Sequence, residues 1–263
     1  MPKFVFFTDL DGTLLDFRTY SFEAARPALI RIKQAGSALV LSTSKTRAEV
    51  MEYERQMGFD EPTIVENGGA IYIPKDYFQH EVEGAVEEGR HLMLRVGARA
   101  EELEALVDAL GKEFGVRPLH RMSVQELVDE TGLGKRQALL AKERHFSASF
   151  RTPDAVTMEK AKAFVEQKGY DFASGARFCA VMRGSDKGKA VRTLLENYRK
   201  DFPGIFSVGL GDEENDFGML RECDKAFLVA RPDGSYASQE FEKAGGIGPE
   251  GCKKAVLEVL KDE

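Results

Sequence analysis

Two aspartates one residue apart, Asp9 and Asp11, end an apolar run in FVFFTDLDGTLLD, residues 4–16. Asp and Gly after a strand can simply make a turn. A calcium loop of the EF-hand type would need a third oxygen ligand at Thr13, glycine where Leu14 stands and a helix in front; the last two are missing, so that reading fails. Phosphoryl transfer matches the residue types better. Asp9, at a strand end, can attack phosphorus to give an aspartyl phosphate, provided that a divalent cation screens the repulsion between carboxylate and phosphate. Asp11 can face the leaving oxygen, give it a proton and later take one from water. Gly12 lets the backbone pass close to a phosphate, and Thr13 adds a hydroxyl donor.

Three further stretches bear on the same chemistry. STSKT follows the apolar run 38–41 and offers Thr43 or Ser44 to phosphate oxygens, or as a helix N-cap. SDKGKAV puts Lys187 near the first turn of a helix, as a cation for charge on a transferred phosphoryl group or as an ordinary solvated lysine. GLGDEEND supplies Asp212 and Asp216 at another strand end, where they suit Mg²⁺ or form a plain acidic loop.

The elements that must position these groups alternate. After the strand at 4–7, RPALIRIKQAG repeats Ala28, Leu29 and Ile32 at helical spacing, with Pro27 in the first turn and Gly36 as the stop. SALVLST is a strand, TRAEVMEYERQMG a helix, and TIVENGG and AIYIP two short strands about a glycine turn. The last 75 residues or so alternate in the same way, through KGKAVRTLLENYRKDF, IFSVGLGD, AFLVA and GPEGCKKAVLEVLKD. The pattern predicts an α/β fold with a Rossmann-like parallel sheet, which binds ligands at the C-terminal ends of its strands. The middle differs: HLMLRVG, AEELEALVDALGKEFG, two short helices, FSASF, AVTMEKAKAFVEQKG, YDFAS and RFCAVMRG read as an α+β unit. Residues 1–82 and 184–263 are therefore expected to form the core domain, and 83–183 an inserted one.

Composition narrows the partners. With 263 residues, 43% of them hydrophobic, the chain can fill a sizeable core. A net charge of -7 argues against nucleic acid or an anionic membrane surface and for a small-molecule ligand. Cys179, Cys223 and Cys252 lie far apart, suggesting neither a disulfide framework nor a zinc site, and fit a reducing cytoplasm. No run approaches the roughly 18 apolar residues of a membrane span, and the short lead into the first strand cannot serve as a secretion signal. A monomer or weak homodimer is expected.

In their order, D-x-D-G-T, the Ser/Thr stretch, the lysine and G-D-x-x-N-D resemble the haloacid dehalogenase superfamily of phosphohydrolases. The resemblance implies Asp9 as nucleophile, Asp11 as acid/base, Thr43 and Lys187 as phosphate ligands, and Mg²⁺ held by Asp9, the Asp11 carbonyl and Asp212, with Asn215 and Asp216 supporting the metal or its waters. It also implies that the insert is a C2B-type cap that chooses the substrate. SKTRAEV, VENGGAIYIP, SGARF, GSDKGKAV, GLGDEEND and GPEG are similar to mannosyl-3-phosphoglycerate phosphatases. That family removes phosphate from mannosyl-3-phosphoglycerate to leave mannosylglycerate, and some relatives accept the glucosyl analogue. Such a phosphorylated sugar-glycerate has a phosphate dianion and a carboxylate, which need cationic or N–H partners. Arg177 could fork onto the carboxylate or be a surface arginine. Glu66, Asn67, Gly68 and Gly69 make either a site turn or plain hairpin chemistry, and Lys45 and Arg47 could steer the anion or solvate a helix start.

Two departures from the pattern stand out. Glu213 follows Asp212 where relatives carry a small residue, and Phe217-Gly218 stands where a proline is common. His80, His91, His120 and His145 lack metal-ligand spacing. A general Cof-like sugar phosphatase or a phosphomannomutase shares the signatures and cap type, and the mutase differs by dependence on a hexose bisphosphate. A noncatalytic sugar-phosphate binder differs by releasing no phosphate. A P-type ATPase is excluded by the missing membrane spans and by Asp11, where those pumps carry threonine.

Overall fold

Apolar runs from both ends of the chain meet in one sheet. The computed structural model describes residues 3–175 and 178–261. The first part supplies β1 (Phe4–Thr8), α1 (Arg26–Gln34), β2 (Ala38–Ser42), α2 (Arg47–Met57), β3 (Thr63–Val65) and β4 (Ala70–Pro74). Next come β5 (Val86–Glu88) and β6 (His91–Arg95), then α3 (Ala100–Phe114), β7 (Arg117–Pro118), α4 (Val124–Thr131), α5 (Lys135–Ala141), β8 (Ala148–Arg151), α6 (Ala155–Gln167), β9 (Asp171–Ser174) and β10 (Cys179–Met182). The last part is α7 (Lys187–Asp201), β11 (Phe206–Gly211), α8 (Phe217–Glu222), β12 (Lys225–Ala230), β13 (Glu242–Ile247) and α9 (Gly248–Val259).

The large sheet has the order β13-β12-β11-β1-β2-β3-β4-β6-β5. It is parallel from β13 to β3 and antiparallel from β4 to β5, so the expected α/β class holds. Its central strands are buried on both faces, which is why they read as unbroken apolar runs. Side chains alternate between the faces. Phe6, Leu39, Leu41 and Leu210 pack with α1 and α9, whereas Val5, Phe7 and Val40 pack with α7. Each such side chain contributes about 1.5–3 kcal/mol by leaving water.

Two strand assignments need correction. His91–Arg95 was expected in the inserted unit, but it pairs with β4 in the large sheet. β13 was not expected at all: EKAGGI has two glycines, mostly faces solvent and shows no alternating apolar pattern, yet it pairs parallel to β12.

The residues between β6 and α7 build a four-stranded antiparallel sheet, β7-β8-β10-β9. One face packs Phe150 and Val181 against Leu103 and Leu110 of α3 and Val165 of α6. The alternate residues Ser149, Ala173 and Ala180 turn the other way, toward a cavity over the large sheet. The chain crosses between the two units at 96–98 and 183–185, where Ala98 N–H donates to the Arg183 carbonyl at 3.0 Å. A side chain at Gly97 would come within 2.5 Å of Ser185 Oγ. Phe146 makes a third attachment, buried in the same cluster as Val65, Ala70 and Tyr72.

Candidate active site

Strands β1, β2 and β11 are neighbours and parallel, so the residues after them, Asp9, Thr43 and Asp212, come to one edge of the sheet. Lys187 opens α7, which Asp186 caps through the Lys189 N–H. Fully buried, its Nζ lies 2.5 Å from Asp9 Oδ1 and 2.6 Å from Asp216 Oδ1. The other Asp216 oxygen accepts from the Asp212 and Glu213 N–H groups at 3.0 and 3.1 Å. Thr13 donates to Asp212 Oδ1 at 2.6 Å. Gly12 has φ +87, and a Cβ there would sit 2.4 Å from Asp212 Oδ2. Only glycine fits that position without strain.

Asp9, Asp212 and Asp216 each bring a carboxylate oxygen within 4.8 Å of the others, all three being buried. Three carboxylates against one buried lysine leave two negative charges uncompensated, and the donors are all oxygen. Both facts suit a hard divalent cation. The electrostatics agree: burial pushes the Asp9 carboxyl up to about 7, with Lys187 opposing and Asp216 and Asp11 adding to the rise. Burial, then Asp216 and Asp9, hold Asp212 well above the usual carboxylate range. Burial alone would lower Lys187, but Asp216 and Asp9 outweigh it and raise it.

The Asp11 side chain does not join that cluster. Its Oδ2 pairs with Lys45 Nζ at 2.7 Å, while Oδ1 is buried without a hydrogen-bond partner among the described residues. Lys45 also lies 3.8 Å from Glu49 and is raised, Asp11 and Glu49 outweighing its burial. Neither Thr43 nor Ser44 caps a helix, since Thr46 caps α2 through the Glu49 N–H. Thr43 Oγ1 accepts from the Lys45 N–H at 3.2 Å. Ser44 lines the cavity.

The turn after β3 divides. Asn67, at φ 56, lines the cavity and accepts from Asn215 Nδ2 at 3.2 Å. Glu66, grouped with it as a substrate ligand, is fully buried and faces the other way. Its carboxylate accepts from His145 N–H (2.8 Å), Phe146 N–H (3.1 Å) and Ser147 Oγ (2.7 Å). Gly68 leaves no room for a side chain, because a Cβ would meet the Asp186 carbonyl at 2.1 Å. Arg47 is bound to Glu54, Thr63 and His91, away from the cavity. Arg177 lies outside the described residues.

The cavity measures about 150 Å³ and joins the sheet edge to the insert. Asp9, Asp11, Lys45, Asn67, Asp212 and Asn215 line it from below; Leu119, Leu127, Leu133, Phe178 and Arg144 line it from above. Sequence reasoning missed Arg144 and also Arg231, whose guanidinium takes both Glu213 oxygens at 2.9 and 2.5 Å. Glu213 is thereby neutralised beside the acidic cluster. Gly218 also has a reason: α7 and α8 touch backbone to backbone, and a Cβ at Gly218 would lie 3.2 Å from both Asp186 Oδ1 and the Gly188 backbone nitrogen.

The sequence pattern of haloacid dehalogenase-like hydrolases matches residues 6–89. The glucosyl-3-phosphoglycerate/mannosyl-3-phosphoglycerate phosphatase of Methanococcoides burtonii is 38% identical over 265 residues, covering 98% of this chain and 97% of its own. The mannosyl-3-phosphoglycerate phosphatase of Pyrococcus furiosus is 38% identical over 225 residues, 86% of this chain and 90% of its own. A crystal structure from Thermoplasma acidophilum has the same fold, with a TM-score of 0.69 at 17% identity over 99% of both chains. With these likenesses running nearly end to end, the chain belongs to the mannosyl-3-phosphoglycerate phosphatase family of haloacid dehalogenase-like hydrolases.

Proposed function

We propose that the chain is a phosphoric monoester hydrolase that releases phosphate from mannosyl-3-phosphoglycerate, and from its glucosyl analogue, in the cytoplasm. The observation that carries this reading is the Asp9 carboxylate at the cavity floor, gripped by a fully buried Lys187 within a three-carboxylate cluster. Asp9 attacks phosphorus, the bond to the ester oxygen breaks, and Asp11 gives that oxygen its proton. Water then attacks the aspartyl phosphate, and Asp11 takes a proton back as inorganic phosphate leaves. Lys45 holds Asp11 Oδ2 at 2.7 Å and so fixes the carboxyl group at the cavity floor. Thr43, Ser44 and Lys187 orient the phosphoryl oxygens, and Gly12 and Thr13 keep Asp212 in place.

Asp9, Asp212 and the Asp11 carbonyl would hold Mg²⁺, with Asp216 and Asn215 behind them. When bound, Mg²⁺ supplies charge that screens Asp9 from the phosphate and stabilises the transferring phosphoryl oxygens. The insert, from about residue 98 to 183, acts as the cap that excludes water and selects the substrate. Among the described residues no helix is long and apolar enough to cross a membrane, and Cys179, Cys223 and Cys252 are free thiols.

The test is phosphate release from mannosyl-3-phosphoglycerate, glucosyl-3-phosphoglycerate and mannose 6-phosphate, with and without Mg²⁺. Strong Mg²⁺-dependent preference for the glycosyl-phosphoglycerates is expected. Activity that depends on an added hexose bisphosphate would instead identify a mutase.

A further inference from the structure

We propose that Arg144 is the subsite for a carboxylate on the substrate, and so the residue that makes this enzyme prefer phosphoglycerate esters to uncharged-tail phosphates. The inference rests on the phosphatase reading above and deepens it. Of the five acids that line the cavity, Glu213 is paired with Arg231 and Asp9 with Lys187, which leaves Asp11, Glu49 and Asp212 against two cations, Lys45 and Arg144, among the described residues. A substrate with a second anionic group enters such a cavity only if a cation there receives it. Lys45 is engaged by Asp11 at 2.7 Å and Glu49 at 3.8 Å. Arg144 is placed differently.

Arg144 follows α5 and reaches the cavity from the insert side, with its side chain 12% exposed. Nη2 donates to the Ser44 carbonyl at 2.5 Å and Nε to Ser147 Oγ at 3.0 Å. Nη1 takes part in neither bond. Glu66 Oε2, which also accepts from Phe146 N–H and Ser147 Oγ, forms an ion pair with Nε at 3.6 Å, and that contact too leaves Nη1 aside. The guanidinium is thus held in one orientation before any ligand arrives. That lowers the ordering cost of binding, and its planar fork matches a carboxylate. With the phosphorus at Asp9 on the cavity floor, a carboxylate on the insert side meets Arg144.

The experiment compares mannosyl-3-phosphoglycerate with its analogue in which the carboxylate is reduced to hydroxymethyl, for wild type, Arg144→Gln and Arg144→Lys. Arg144→Gln is expected to raise KM for the carboxylate substrate about 10- to 100-fold with kcat changed less than about threefold, the size of a lost charge-assisted bond. Its KM for the reduced analogue should stay near the wild-type value. Arg144→Lys keeps the charge without the fork and should fall between, which also covers the case of a poorly folded glutamine variant. Equal losses on both substrates would make Arg144 a mere fastening of the insert and overturn the proposal. An unchanged preference in Arg144→Gln would do the same and point to another cation such as Arg177. Wild type active on both without preference overturns the proposal alone; wild type active on neither overturns the functional reading and the proposal with it.

Discussion

Glu66→Gln tests the contact that fastens the insert to the sheet, and it also removes the charge 3.6 Å from Arg144 Nε. The carboxylate is fully buried and accepts three hydrogen bonds, one at Oε1 from His145 N–H and two at Oε2 from Phe146 N–H and Ser147 Oγ. Glutamine keeps the shape but replaces one acceptor oxygen with an NH₂ group. If its oxygen faces Phe146 and Ser147, the NH₂ points at the His145 N–H and leaves that buried donor unsatisfied, at a cost of about 1–3 kcal/mol. The two remaining bonds lose their ionic assistance, about 1 kcal/mol each. The sum is about 3–5 kcal/mol. At roughly 2–4 °C per kcal/mol for a chain of this size, Tm falls by about 10 °C. Differential scanning calorimetry and urea unfolding on wild type, Glu66→Gln and Ser147→Ala measure it, the last losing two bonds, one to Glu66 and one from Arg144 Nε, and about 3 kcal/mol. A loss below about 1 kcal/mol for Glu66→Gln would refute the reasoning, because it would mean that these donors find other partners.

Asp11→Asn keeps the side chain's shape and its distance from the acidic cluster, so Mg²⁺ affinity by calorimetry should persist while kcat falls about 10²–10⁴-fold, the usual share of acid–base catalysis; near-normal turnover would count against the role. Gly12→Ala forces a Cβ to 2.4 Å from Asp212 Oδ2 at φ +87; the Mg²⁺ concentration for half-maximal activity should rise at least about tenfold, since the displaced carboxylate costs more than about 1.4 kcal/mol. Burial pushes Glu61 from its ordinary 4.5 to about 7, with the Tyr77 hydroxyl opposing and Asp60 adding to the rise. The folded state therefore favours the protonated acid, a stabilisation present below about pH 4.5 and lost as pH climbs through 7. Glu61→Gln imitates the protonated form, so its Tm should exceed that of wild type at pH 8 and converge with it toward pH 4.5; parallel Tm profiles would contradict this.

The core of the site was legible because each part is local. Asp9, Thr43, Lys187 and Asp212 each follow or open one short element, and a parallel sheet brings those ends together whatever the strand order. Arg144 was not legible: it lies beyond the end of α5 in a segment without regular spacing, and reaches the cavity only because Glu66, 78 positions earlier, draws residues 145–147 down. Glu66 was placed near the site for the right reason, its neighbour Asn67, but given the wrong partner, since nothing in VENGG tells which way a carboxylate turns. The Glu213 charge looked unfavourable in isolation. Arg231 resolves it from a different strand end, a contact that only folding creates. The short strand β6 read correctly as a strand and went to the wrong sheet, because pattern reports which residues are extended but not which edge they join.

Phe146 has one more effect. A roof joined to its base by two linkers can rotate freely about the line between them, and a third fastening off that line stops it. Lifting the whole roof would draw a phenyl ring out of the main core, at about 2–3 kcal/mol, and break three bonds to a buried carboxylate besides. At 1.4 kcal/mol per decade, fewer than about one molecule in a thousand would be so opened at any instant. Traffic of substrate and product is thereby left to smaller displacements of α4 and the turn before it, where Leu119 and Leu127 sit in a separate, minor cluster.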